Sequence, residues 1–154
     1  MNEAVEGAGE VEFVTATIGG QLFGLPIERV LDVFTPERLT RVPLAAPEVA
    51  GVLNLRGRIV TAIDMRRRLD LPPRAEGDSF MAIGIEHHGE SYGLLVDQVG
   101  EVLKLAAAQL DSVPANLDAS WERLAAGVYR LEDRLMVVLD VDRSLDYQTE
   151  TAAA

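Results

Sequence analysis

The chain has 154 residues, 48% of them hydrophobic, no cysteine, a formal net charge of −11 and a pI near 4.5. That length makes one ordinary domain or two small ones with ample apolar content for a core, while the absence of cysteine excludes disulfides and thiolate chemistry. The acidic balance excludes a nucleic-acid binder, because phosphate contact needs clustered Lys and Arg to displace counterions.

The acidic opening MNEAVEGAGE lacks the charged and apolar regions of a secretory signal, and no apolar run approaches the roughly 18 residues of a membrane span. A cytoplasmic protein without membrane insertion is expected, with loose tails at 1–11 and 148–154. Val11 to Ile18, Gly19-Gly20 and Gln21 to Pro26 form a hairpin signal, the glycines supplying the positive φ of a primed turn. Glu28 to Val33 is a short helix candidate. Arg58 to Ile63 is a β-branched strand preceded by a turn at Arg56-Gly57, and Met65 to Leu69 a brief helix. Arg66, Arg67 and Arg68, the one basic cluster, read as a solvated face after a strand. Pro72-Pro73 followed by Arg74 to Asp78 is the best linker, since consecutive prolines resist helix and ladder alike. Beyond it, Phe80 to Glu86, a turn at His87 to Glu90, and Ser91 to Val96 repeat the hairpin. Leu117 to Ala126 and Val141 to Tyr147 are helix candidates flanking a strand at Arg134 to Leu139, which follows a turn at Glu132-Asp133.

The chain repeats itself. Gly51 to Leu71 recurs as Gly127 to Tyr147, and Gly24 to Val33 as Gly93 to Val102, in the order A-B-A′-B′. Gly51/Gly127, Val52/Val128, Leu55/Leu131, Asp64/Asp140 and Asp70/Asp146 are identical, so they serve a backbone shape both copies need. Asn54, Arg56 and Gly57 instead face Arg130, Glu132 and Asp133, so the shared fold does not require them and binding is the natural reason for their presence. The expected organisation is a first β subdomain at 12–73, a linker at 74–79 and a second β subdomain at 80–147, mainly β with a few short helices. Many short strands with turn punctuation point to barrels or a sandwich.

Catalytic constellations are wanting. Gly19-Gly20 lacks the helix and lysine of a phosphate loop, and no serine sits in a nucleophile elbow. His87 and His88 are adjacent, point to opposite faces of a strand and have no third ligand at useful spacing. Asp64 and Asp140 suit a cap at the step from strand to helix. No cofactor and no metal are expected, and a binding protein is what remains.

Val42-Pro43 through Pro47-Glu48 into GVLNLRGRIV (51–60) and on to Ile63-Asp64-Met65-Arg66 resembles the signature of the CheW family of chemotaxis coupling proteins. Phe13 to Val33, Tyr92 to Leu105 and Gly127 to Leu145 are similar to the family's opening, central and closing blocks, so the resemblance spans about 12 to 147. It implies two SH3-like five-stranded β-barrels and a non-catalytic adaptor, recruited to membrane-associated receptor arrays. The implied partners are the cytoplasmic tip of methyl-accepting chemoreceptors, docking between the barrels, and the regulatory domain of the histidine kinase CheA, which pairs with a barrel end through apolar residues. The receptor-side positions fall on Val30, Asp32, Gly51, Arg56 and Val99, with Asn54 and Gly57 shaping the Arg56 loop. Asp32 stands where the family usually has Glu, one methylene longer, which shortens its reach toward Arg56.

Helix-in-groove recognition wants a shallow apolar trough, which Val30 and Val99 would supply as repeat partners, with the Arg56 guanidinium fixing register against a carboxylate. Core packing accounts for Val30 and Val99 equally well, and a turn residue holding Asp32 is the plainer role for Arg56. Two other functions fit the same chain: a homologous scaffold in a non-motility chemosensory pathway, and a small-ligand sensor with its pocket between the barrels.

Overall fold

The structure is a computed structural model that describes residues 9–43 and 45–146. Ten strands form two five-stranded sheets. The first half contributes β1 (Glu10–Ile18), β2 (Gln21–Pro26), β3 (Asp32–Phe34), β4 (Val49–Leu55) and β5 (Arg58–Asp64). The second contributes β6 (Met81–His87), β7 (Glu90–Val96), β8 (Gln98–Ala106), β9 (Ala125–Arg130) and β10 (Leu135–Leu139). Three short helices complete the fold: α1 (Met65–Arg68), α2 (Ala119–Leu124) and α3 (Val141–Leu145).

The sheets cut across the sequence repeat. One runs β8-β1-β2-β10-β9 and the other β3-β6-β7-β5-β4. Replacing each strand by its repeat partner turns the first order into the second, so each half lends its opening hairpin to the sheet built from the other half's remaining strands. Subdomains bounded at 12–73 and 80–147 therefore describe the repeat and not the sheets. The segment 74–79 between them carries neither helix nor strand. The hairpin β1–β2 joins β10 in parallel, pairing Val138 with Gly24, and β7 joins β5 in parallel, pairing Ala62 with Gly93. These two pairs are equivalent under the repeat. So are the register shifts between Val49 and Gly51 and between Val138 and Leu139, which mark a bulge in each β4–β5 or β9–β10 ladder. The bridges Thr40–Val52 and Asp111–Val128 lay the chain that follows one edge strand against the opposite edge strand of the same sheet. That arrangement suits SH3-like barrels.

The largest apolar cluster lies between the sheets: Phe23 and Leu25 from one, Ile63, Ile83 and Leu94 from the other, all fully buried. Smaller clusters belong to single sheets, around Phe13, Tyr129 and Met136 in one and Leu53, Val60 and Leu95 in the other. Most of the apolar burial that drives folding thus needs both halves at once.

Asp64 and Asp140 cap α1 and α3, accepting the N–H of Arg66 at 3.0 Å and of Arg143 at 3.1 Å, as their place in the repeat suggests. Other expectations are corrected. The helix proposed for Glu28 to Val33 is a single 3-10 turn at Ile27–Arg29, after which Asp32–Phe34 pairs with Gly84, Ile83 and Ala82 on β6. Ladder hydrogen bonds outweigh the weak helical preference of β-branched Val30 and Val33. The helix at 117–126 shrinks to Ala119–Leu124 behind the Asp118 cap, because Ala125 and Ala126 enter β9. Glu10 and Val11, assigned to a tail, pair with Ala106 and Leu105. Gly9 is also described, its carbonyl accepting the Ala107 N–H at 2.7 Å, while residues 1–8 and 147–154, Tyr147 included, lie outside the described residues. Nor is the basic cluster a solvated face. Arg67 alone is exposed, while Arg68 is 3% exposed and donates to the carbonyls of Ser144 and Arg143 at the end of α3.

Candidate partner-binding surface

β4 and β5 are joined by a two-residue turn in which Arg56 and Gly57 both have positive φ, +55° and +81°. This is the primed geometry that matches the twist of the strands it joins. Asn54 Oδ1 accepts the Gly57 N–H at 2.9 Å and fixes the turn. Arg56 is left exposed, and no ion pair among the described residues joins it to Asp32. Asp32 lies on β3, the opposite edge of the same sheet, where its carboxylate packs over Gly84 with Oδ1 buried and without a hydrogen-bond partner. The plainer role for Arg56, a clamp on Asp32, therefore has no contact behind it.

Gly51 is a backbone requirement. Its φ is +155°, and a Cβ there would collide with the Thr40 carbonyl. A Cβ on Gly127 would stand 2.8 Å from the carbonyl oxygen of Asp111, so the two glycines identical in the repeat let the bridging chain approach in the same way.

Val30 and Val99 are half-buried against the central cluster, Val30 after the 3-10 turn and Val99 on β8 opposite Ala16. The structure brings Asn54, Arg56 and Gly57 together and places Gly51 up the same strand. Val30 and Val99 belong to a separate place, the junction between the sheets. The three most exposed of the large apolar side chains escaped the sequence reading: Leu31 at 52%, Val102 at 47% and Ile59 at 63% exposure. Val33 and Val102, partners in the repeat, both turn outward on edge strands. Ile59 borders a cavity of about 850 Å³ that includes Phe34, Pro36, Leu53, Asn54 and Leu55. Its lining comes from β3, β4, β5 and the segment 35–40 that follows β3.

Two charge networks tie the halves together. Arg66 on α1 holds Asp97, between β7 and β8, through Nε at 3.0 Å and Nη2 at 2.7 Å. Arg74 Nε and the Gly19 N–H also donate to that carboxylate. Burial pushes the Asp97 pKa up, but these donors outweigh it and hold it at about 2. At the equivalent corner the charges are reversed: Asp142 on α3 accepts from Arg29 at 3.0 Å and faces His87 Nδ1 at 3.2 Å. The Arg29 hydrogen bond lowers the Asp142 carboxyl below its ordinary range, against a smaller desolvation effect.

A protein of two packed five-stranded β-sheets with an exposed arginine turn of fixed backbone and outward-facing apolar edge strands belongs to the class of binding modules. The CheW-like domain model matches residues 12–148, and the chain belongs to that family. It is 28% identical over 141 residues to the chemotaxis protein CheW of Klebsiella aerogenes, covering 90% of this chain and 85% of the relative. It is 25% identical over 142 residues to that of Bacillus subtilis, covering 92% and 91%. The crystal structure of the scaffolding protein TtCheW from Thermoanaerobacter tengcongensis superimposes with a TM-score of 0.78 at 24% identity, over 88% of this chain and 92% of that one, and shares the fold. Among the described residues no helix is long and apolar enough to cross a membrane.

Proposed function

We propose that this chain is a non-catalytic chemotaxis adaptor that couples the cytoplasmic tips of chemoreceptors to the histidine kinase CheA in membrane-associated arrays. Membership of the CheW-like family across residues 12–148 carries this reading, and relatives named for chemotaxis that align over nine-tenths of the chain support it. Arg56 is the receptor-side anchor, displayed on a turn that Asn54 and Gly57 hold. A turn whose backbone is fixed in this way loses little freedom when a carboxylate on the receptor hairpin engages the guanidinium it displays. Val30 and Val99 supply apolar contact at the sheet junction, Asp32 completes the receptor side, and Gly51 shapes the strand that leads to the turn.

An adaptor has two partners. Arrays raise the effective concentration of each by placing neighbouring sites close by, so modest single contacts suffice. Kinase control then requires that the adaptor bind receptor signalling states with different free energy. The test is titration of the purified chain against a cognate receptor-tip fragment and, separately, the CheA regulatory domain. Saturable binding to both is expected. A folded chain that binds neither cognate partner contradicts the adaptor reading.

A further inference from the structure

A second cavity, of about 400 Å³, sits beside α1 and the linker, and four arginines line it: Arg41, Arg66, Arg67 and Arg74. The chain as a whole carries a formal charge of −11 with 14 basic residues, so four arginines around one cavity run against its overall balance. One carboxylate, Asp64, also lines it, and that group already accepts the Arg66 N–H. Behind the lining, Asp97 serves both Arg66 and Arg74, and Asp78 adds a weaker attraction on Arg66.

The four arginines face three carboxylates, Asp64, Asp78 and Asp97, which leaves one positive charge over. Arg41 and Arg67 are exposed and have no ion pair among the described residues. Arg74 Nη2 is buried and ion-paired with Asp97 Oδ1 at 3.0 Å. Arg74 is also held in place, its guanidinium 4.9 Å from the centre of the Phe80 ring and its Nε on Asp97. The cavity thus has in its lining one fixed guanidinium, Arg74, and two exposed arginines without ion pairs among the described residues. Its volume falls within the roughly 300–1,000 Å³ of small-molecule sites.

We propose that this cavity binds a compact polyvalent oxyanion, a phosphorylated or polycarboxylate small molecule, held by Arg41 and Arg67 over the fixed Arg74. The second copy keeps Arg67 as Arg143 but has Asp142 where α1 has Arg66, so the charge of this corner is particular to the first copy. Its position between the α1 corner and the linker would let an anion tighten the junction of the two sheets. The proposal is independent of the adaptor reading, because it concerns a different surface and a different class of ligand.

Calorimetric titration of the full chain with sodium pyrophosphate and with citrate, at ionic strength held constant by sodium chloride, tests it. Saturable binding of either anion is expected, weakened at least about tenfold in an Arg41→Ala/Arg67→Ala variant. Both arginines are exposed, so the variant's melting temperature in chloride should match that of the parent. Backbone amide shifts of the unaltered chain, mapped by NMR during the titration, should concentrate in 39–50 and 64–74. No saturable binding beyond the chloride control, equal affinity in the variant, or shifts scattered over the surface would each overturn the proposal.

Discussion

The β4–β5 hairpin and its counterpart β9–β10 share a strand register, a bulge and a capped helix at their exit, yet only the first ends in a turn with two positive φ values. In the second, Leu131 N–H donates to the Arg134 carbonyl across a bend through Glu132 and Asp133. Arg130, where the first copy has Asn54, pairs with Asp111 at 3.0 Å and leaves nothing to pin a turn. What both copies keep is what closing a sheet demands; what one copy keeps alone, the fold can do without. The corners differ in the same spirit. At the α1 corner the helix supplies an arginine, Arg66, which shares Asp97 with Arg74, and at the α3 corner the helix supplies the carboxylate, Asp142, which Arg29 and His87 share.

The comparison breaks most completely when the copies are separated. Because each sheet takes a hairpin from the other half, residues 12–73 and 80–147 produced alone are expected to show no cooperative unfolding transition. Mixing them should restore one, and circular dichroism melts of each and of the mixture check both statements. Next in size are the paired glycines. Gly51→Ala meets both a positive φ and the Thr40 carbonyl, for a loss on the order of 3 kcal/mol. Gly127→Ala meets the Asp111 carbonyl and the Leu110 side chain without a positive φ and should lose about half as much in the same denaturant titrations.

The corners can be told apart by acid. The Asp97 pKa, about 2, is depressed from the ordinary 3.8, so the folded state binds the proton less readily than the unfolded state. The stability from Asp97 is full above about pH 4 and is lost as pH falls toward 2, a change of about 2 kcal/mol. Asp97→Asn should start less stable and lose less over that interval. Glu28→Gln, at the exposed repeat partner, should leave the curve unchanged. Smaller still is Asn54→Ala, which removes the hydrogen bond to Gly57 and should cost about 1 kcal/mol, while Arg130→Ala, losing an exposed pair, costs under about 0.5 kcal/mol.

Much of this was legible before any coordinates. The caps at Asp64 and Asp140, the Gly19-Gly20 and Arg56-Gly57 turns and the repeat itself follow from local chemistry, which sequence displays directly. The exchange of hairpins between sheets was not legible, because the parallel pairs Val138–Gly24 and Ala62–Gly93 join strands far apart in the chain. Arg68 was misjudged for the same reason: its acceptors, the carbonyls of Arg143 and Ser144, come from the other copy. Asp32 showed its identity but not its partner, since its resting place over Gly84 depends on β3 pairing with β6.

The exposed Arg56 turn is where family membership and geometry meet, so the most direct measurement is the affinity of Arg56→Glu for a receptor-tip fragment and for the CheA regulatory domain, beside Glu132→Lys on the second hairpin. Both substitutions lie in exposed turns and should change stability by less than about 0.5 kcal/mol. Loss of receptor binding in Arg56→Glu alone, with kinase binding retained in both variants, is the expected result. Receptor affinity unchanged in a folded Arg56→Glu variant would contradict the assignment of the first hairpin as the receptor side.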